Sequence, residues 1–285
     1  MDIGIYIATA NRPQLFRRAL ESLFAQIITP VEVQVVVNGS DEFFPEYKSV
    51  IKSADKGSIV SASFHPVKMS PGLAKNLALQ RVSAEFATGL DDDDYFLPVR
   101  LLNFLEYYLD KNLDSSVLFS NSFVERNGSR NLVRRKAFVA LEDLAQGNLV
   151  GNQVFGPCKI LKSVGYNDLS FADDFDFAVR LAGRANVMFN TGEADYILDR
   201  THALGRVSKA RKDTICSTYE LLGDFYSAKY GLGFSCFSQM RFAHEGIHPG
   251  WDDIFNPCFL RRGALLFSKR ISRSALSSAR RFFGI

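Results

Sequence analysis

Nowhere in these 285 residues do eighteen apolar side chains run without interruption, so no segment reads as a helix that crosses a bilayer. The opening apolar run, Ile3 to Ala8, is too short for a secretory signal. Cysteine is scarce: Cys158, Cys216, Cys236 and Cys258 form no C-x-x-C pair, which excludes a small disulfide-stapled fold and fits a reducing compartment. Internal repeats and low-complexity blocks are missing too. What is present suits one large globular domain with an appendage: 47% hydrophobic residues supply a core, 23% charged residues keep it wet, and 25 Phe with 10 Tyr leave aromatic surface for binding.

Charge is uneven. The net value is +3, yet the stretch from Phe259 to the end holds seven cations and no acid, so the remainder carries 3 − 7 = −4. That pattern excludes a protein-wide nucleic-acid footprint and points to a local anionic partner. Within the stretch, Leu260, Ala264, Phe267, Ile271, Ala275 and Phe282 follow helical spacing, which suits an interfacial helix on anionic lipid and equally a helix docked on the body.

The first half alternates short β-branched runs with helical patterns. Strands are expected at 3–8, 31–37, 59–63 and 86–90, and helices at 13–26, 44–54, 73–82 and 98–112. Continuous apolar strands between helices imply an α/β fold with a mostly parallel sheet covered on both faces. Further on, a strand at 117–120, a hairpin about Asn127-Gly128 and helices at 173–182 and 214–229 are expected.

Two acidic points could carry chemistry. Asp91-Asp92-Asp93-Asp94 follows directly on a strand, at the sheet end where α/β proteins bind ligands. Four adjacent carboxylates favour a cation, and oxygen-only ligands suit Mg²⁺ or Mn²⁺ completed by water and a diphosphate; the plainer reading is that they cap the helix after Pro98. The second point, Phe171-Ala172-Asp173-Asp174-Phe175-Asp176, sets carboxylates among phenylalanines at a helix start, where a base near neutrality is possible and capping is the alternative. A third motif, His244-Glu245-Gly246-Ile247-His248, fits H-E-x-x-H, but Gly246 weakens the helix, Pro249-Gly250 ends it and no distant third zinc ligand follows.

Taken together, the residues resemble the inverting family 2 glycosyltransferases of the GT-A fold, of the non-processive type that builds bacterial surface polysaccharides. Ile5-Tyr6-Ile7-Ala8-Thr9-Ala10-Asn11-Arg12-Pro13 looks like their first strand and nucleotide loop, and Val35-Val36-Val37-Asn38-Gly39-Ser40-Asp41 like their second strand and base-contacting turn. Gly72-Leu73-Ala74-Lys75-Asn76 leading to Asp91–Asp94 is similar to the approach to their D-x-D metal motif, and Asp173-Asp174 to the acidic pair that supplies the base.

The resemblance implies a nucleotide-sugar pocket lined by Thr9, Asn11, Arg12, Asn38, Lys75, Asn76, Asp91, Asp92 and Arg206. It implies Mn²⁺ or Mg²⁺ on Asp93, Asp91 and His202, and catalysis by Asp174 with Asp173 beside it. Asn38 stands where Asp is usual, so UDP is the expected donor nucleotide on the strength of the amide oxygen alone. The processive Q-x-x-R-W signature is absent, which favours adding one hexose or N-acetylhexosamine per encounter to a saccharide or lipid-linked saccharide. The implied domains are a catalytic 1–212, divided into nucleotide-binding 1–121 and acceptor-binding 122–212, and a helical extension 213–285. A cytoplasmic protein, peripheral on the inner membrane, is expected. The competing readings are a nucleotide-sugar binder without catalysis and a zinc peptidase using His244 to His248.

Overall fold

The computed structural model describes residues 1–113, 115–151, 154–185, 187–202 and 212–231. The chain divides into two compact units, one of residues 1–144 and 148–206, the other of 145–147 and 207–285.

The first unit begins β1 (Ile3–Ala10), α1 (Pro13–Phe24), β2 (Glu32–Asn38), α2 (Phe44–Ala54), β3 (Val60–His65), α3 (Pro71–Arg81) and β4 (Phe86–Gly89). Local sequence explains each piece. Pro13 opens α1, where its fixed φ suits a first turn and its missing N–H costs nothing, and Phe16, Ala19, Leu20 and Leu23 recur at helical spacing and are buried. The strands β1 and β2 are buried along nearly their whole length, so helices cover both faces and alternation gives way to continuous Ile and Val. Gly4 admits this covering: a Cβ there would lie 2.5 Å from Val82 at the end of α3.

The unit continues with β5 (Tyr95–Phe96), α4 (Arg100–Asp110), β6 (Val117–Arg126), β7 (Ser129–Val133), β8 (Phe138–Ala140), α5 (Leu141–Leu144), β9 (Phe155–Pro157), α6 (Cys158–Val164), α7 (Asp173–Ala185) and β10 (Val187–Asp199). The sheet order is β3-β2-β1-β4-β9-β6-β10-β5, with β7 beside β6 and β8 beside β10. The long ladders β1–β2, β2–β3, β1–β4 and β6–β10 are parallel, while β5, β7, β8 and β9 pair antiparallel. This is the α/β architecture expected, with antiparallel insertions in its second half. The expected hairpin forms from β6 and β7, turning on Asn127 and Gly128 at φ of 50° and 74°.

The second unit contributes α8 (Lys212–Tyr230), a helix expected from the sequence that buries Ile215, Thr218, Tyr219, Leu222 and Tyr226. Among the described residues no helix is long and apolar enough to cross a membrane. His244 to His248, Arg206 and the basic stretch 259–285 lie outside the described residues.

Candidate functional site

The site assembles where β1, β2 and β4 end and the chain turns into loops. Directly after β4 the four aspartates separate into two kinds. Asp92 is buried, with 2% of its side chain exposed, and is held by a relay: the Arg12 backbone N–H donates to Tyr47 Oη at 2.8 Å, Tyr47 meets Thr9 Oγ1 at 2.7 Å, and Thr9 donates to Asp92 at 2.6 Å. The Arg12 guanidinium closes on the same carboxylate. Asp94 is buried as well, accepting from Tyr196 Oη at 2.9 Å and from the Asp199 backbone at 3.0 Å. Asp91 and Asp93 alternate with them and keep 14% and 21% of their side chains exposed. Burial pushes Asp92 up to about 7 despite the opposing Arg12, and burial with the charges of Asp93 and Asp91 raises Asp94 well above the carboxylate range.

Asp93 has two cationic or imidazole neighbours, Arg12 Nη1 at 3.3 Å and His202 Nε2 at 3.5 Å. Its backbone carbonyl accepts from Arg18, which also pairs with Asp199 at 2.6 Å and so ties the loop to the end of β10.

The second acidic point reaches the first through one lysine. Lys75 Nζ, buried on α3, lies 3.0 Å from Asp91, 3.0 Å from Asp173 and 2.7 Å from Asp174. Gly72 makes this approach possible: its N–H donates to Leu169 O at 3.2 Å, and a Cβ would lie 2.0 Å from Asn167 O, so only glycine lets α3 press against the loop that enters α7. Ala172 precedes that helix at φ 59°, a left-handed conformation that strains a residue with a Cβ and turns Asp173 and Asp174 toward the lysine. Asp176 is drawn away, bonded by Arg180 at 2.6 Å and Asn167 at 3.1 Å. Burial and the neighbouring Asp173 raise Asp174 well above the carboxylate range, with Lys75 acting against them. For Lys75 itself the burial cost is outweighed by the three carboxylates, and its ammonium is held charged.

The structure therefore brings Thr9, Arg12, Asp92, Asp93 and His202 to one side and Lys75, Asp91, Asp173 and Asp174 to the other. Three further residues have scaffold partners. Asn38 donates to Thr9 O at 3.1 Å and accepts from Met69 N at 3.0 Å, so both ends of its amide bond the backbone. Asn11, at φ 56°, accepts from Ser40 N, and Asn76 accepts from Tyr166 N at 3.0 Å. Sequence reasoning missed Tyr47, Tyr196, Arg18 and the buried pair Tyr6–Tyr166, whose hydroxyls meet at 2.9 Å near Lys75. No local signal marks them, because each acts on residues far away in the chain.

Among the described residues no three His, Cys, Asp or Glu side chains form a ready cation cage. Asp91 and Asp93 nonetheless fit a hard divalent cation: they are oxygen donors, alternate along the loop and keep part of their surface open, while an imidazole adjoins one of them.

Comparison with known proteins decides the family. The sequence pattern described as Glycosyl transferase family 2 matches residues 4–165, which hold β1 through α6 and both Lys75 and the acidic loop. The chain belongs to this family. As a family 2 glycosyltransferase it takes its sugar from a nucleotide-sugar donor. WcaA of Escherichia coli K12, which bears the name of a colanic acid biosynthesis glycosyl transferase, is 24% identical over 74% of this chain and 76% of its own. The GalNAc(5)-diNAcBac-PP-undecaprenol beta-1,3-glucosyltransferase of Campylobacter jejuni is 28% identical over 45% of this chain and 40% of its own. Among solved structures, S. aureus TarS 1–349 in complex with UDP-GlcNAc superposes with a TM-score of 0.62 at 16% identity, covering 85% of this chain and 80% of that one, which shows the shared GT-A fold.

Proposed function

We propose that this glycosyltransferase moves one hexose or N-acetylhexosamine from a UDP-sugar to a hydroxyl of a saccharide or lipid-linked saccharide in surface-polysaccharide synthesis, with inversion at the anomeric carbon. The observation that carries the reading is the Lys75 junction, where the acidic loop and the acidic helix start meet within 3.0 Å of one ammonium. Donor and acceptor chemistry need two acidic groups of different character within reach of one another, and these two are.

In this reading Asp91 and Asp93, with His202 beside Asp93, would hold Mn²⁺ or Mg²⁺, and a cation there supplies neutralisation of the charge that develops on the departing diphosphate. Asp174 accepts the proton of the acceptor hydroxyl while that oxygen attacks the anomeric carbon opposite the diphosphate. Burial and Asp173 raise its affinity for a proton, and Lys75 works against them. Asp173 shares the lysine with Asp174. Arg12, Thr9 and Asp92 form the wall against which the nucleotide lies, and Asn38 braces the turn below the base.

UDP as the donor nucleotide is supported by the likeness to TarS, solved with UDP-GlcNAc, and a lipid-linked acceptor by the Campylobacter relative's name. On the same reading residues 1–212 form the catalytic domain, with nucleotide binding in 1–121 and acceptor binding in 122–212. The extension 213–285 brings the enzyme to the cytoplasmic face of the membrane through its basic tail. Hydrolysis of a panel of UDP-sugars with Mn²⁺ tests the proposal: one sugar should be released by the wild type and not by Asp174→Asn. Equal, absent hydrolysis in both, with UDP bound by both, would mean a binder without catalysis.

A further inference from the structure

Tyr196, whose hydroxyl holds Asp94, also lines a small, partly open cavity with room for about one water molecule. Two arginines face it, with Ser120, Ser122 and Gly151. Their situations differ. Arg100 is fully buried, stacked among Phe96, Phe104 and Tyr196 at 4.5–5.0 Å, and neutralised by Asp195. Arg135 has no carboxylate within ion-pair distance among the described residues. Among the described residues its side-chain partner is Ser122 Oγ at 3.4 Å, and its Nε is buried without a hydrogen bond to any of them.

The arginine is held there by a purpose-shaped frame. The Asn121 side chain accepts from Arg135 N at 2.9 Å, and Asn190 donates to the carbonyls of Arg135 and Lys136 at 3.3 and 3.1 Å and to Asn121 at 3.0 Å. Two buried asparagines on β6 and β10 thus fix the backbone from which the guanidinium projects. On the opposite wall Gly151, at φ 106°, leaves the space the guanidinium needs: a Cβ would lie 2.8 Å from Arg135 Nη2. Asn148 pins that glycine turn through three hydrogen bonds to the backbone of Val150 and Gly151. Burial, with Arg100 nearby, drags Arg135 down to about 10, the mark of a cation lacking a counter-charge.

We infer that the Arg135 cavity is an oxyanion site that admits one oxygen of a phosphate or carboxylate group, the rest of which stays outside. A half-buried guanidinium without an acid, its Nε sealed from water and unbonded, is costly, and an entering anionic oxygen offsets that cost with two strong donors, Arg135 and the Ser122 hydroxyl, whose proton has no described acceptor. The oxyanion could be free in solution or carried by the acceptor. The second source rests on the glycosyl-transfer reading; the first does not.

The probe is inorganic phosphate, added to the full chain already saturated with UDP and Mn²⁺ so that the nucleotide site is filled. Melting temperature should rise by about 2–4 °C in the wild type and in Arg134→Gln, which removes an exposed neighbouring charge, and should not rise in Arg135→Gln. Gly151→Ala, which crowds the guanidinium, should lose the same response. Farnesyl diphosphate in the same experiment separates the sources: displacement of phosphate marks a site for a lipid-borne diphosphate, and no displacement marks a site for the free anion. A phosphate response that persists in Arg135→Gln, or none in the wild type, overturns the site while leaving UDP binding and donor hydrolysis as they were.

Discussion

The two acidic clusters of this enzyme look alike in sequence and are built in the same way from different parts. In the loop after β4, Asp92 and Asp94 are bound inward by Thr9, Arg12 and Tyr196, and the carboxylates between and before them are left partly open. At the start of α7, Asp176 is bound inward by Arg180 and Asn167, and Asp173 and Asp174 turn to Lys75. The geometry differs because Asp91 to Asp94 form a turn closed by the Asp94 N–H donating to Asp91 O at 3.1 Å, whereas a helix sets neighbours about 100° apart. A run of acids is thus sorted by its scaffold partners into members bound inward and members left partly open.

Breaking the inward members should cost stability first. Asp92→Ala removes the acceptor of Thr9 and the partner of Arg12 and should destabilise the protein by about 2–4 kcal/mol in urea titration. Asp93→Ala should cost far less, because its side chain is tenfold more exposed. Equal losses would erase the distinction drawn within the loop.

The open member of the second cluster should behave in the opposite manner. Asp174→Asn should lower sugar transfer by about 10² or more with UDP affinity unchanged, read by initial rates and calorimetry. Asp176→Asn should keep turnover near wild type at permissive temperature and lose about 1–3 kcal/mol of stability with its bonds to Arg180 and Asn167. A variant of Asp176 with full stability and no activity would reverse the roles.

The smallest effect lies at the other end of the strands. Glu32, at the start of β2, is pushed up by burial, but bonds from Gln34, Ser83 and Ala84 outweigh this and hold it below its ordinary 4.5. A lowered carboxylate stabilises the fold above its unfolded value, and the benefit fades as pH falls through the folded one. The stability gap between wild type and Glu32→Gln should therefore shrink on acidification below pH 4.5, by less than about 1 kcal/mol given its exposure. Donor hydrolysis should not respond.

Much of this arrangement is legible in the sequence where structure is local. Pro13 and the spacing from Phe16 to Leu23 announce α1, and the Ile and Val runs announce β1 and β2, because each pattern is read within one turn or one strand. By contrast β9 has three residues, and β10 runs through Asn190, Thr191, Gly192 and Glu193 with breaks in its register against β6, so neither carries a strand signal. The acidic motifs were visible too, as was their family resemblance. Which aspartates bind inward was not, because Thr9, Arg12 and Tyr196 lie about 80 to 105 positions from their partners. The junction at Lys75 likewise depends on Gly72 meeting Asn167, a contact no periodicity encodes.

The most direct test is calorimetric titration of UDP into wild type, Asp93→Asn and Asp174→Asn, each with and without Mn²⁺. Tight binding that requires Mn²⁺ in the wild type and in Asp174→Asn, and is lost in Asp93→Asn, is the result predicted. Binding indifferent to the cation, or undiminished in Asp93→Asn, would contradict the assignment of the open loop carboxylates to the diphosphate.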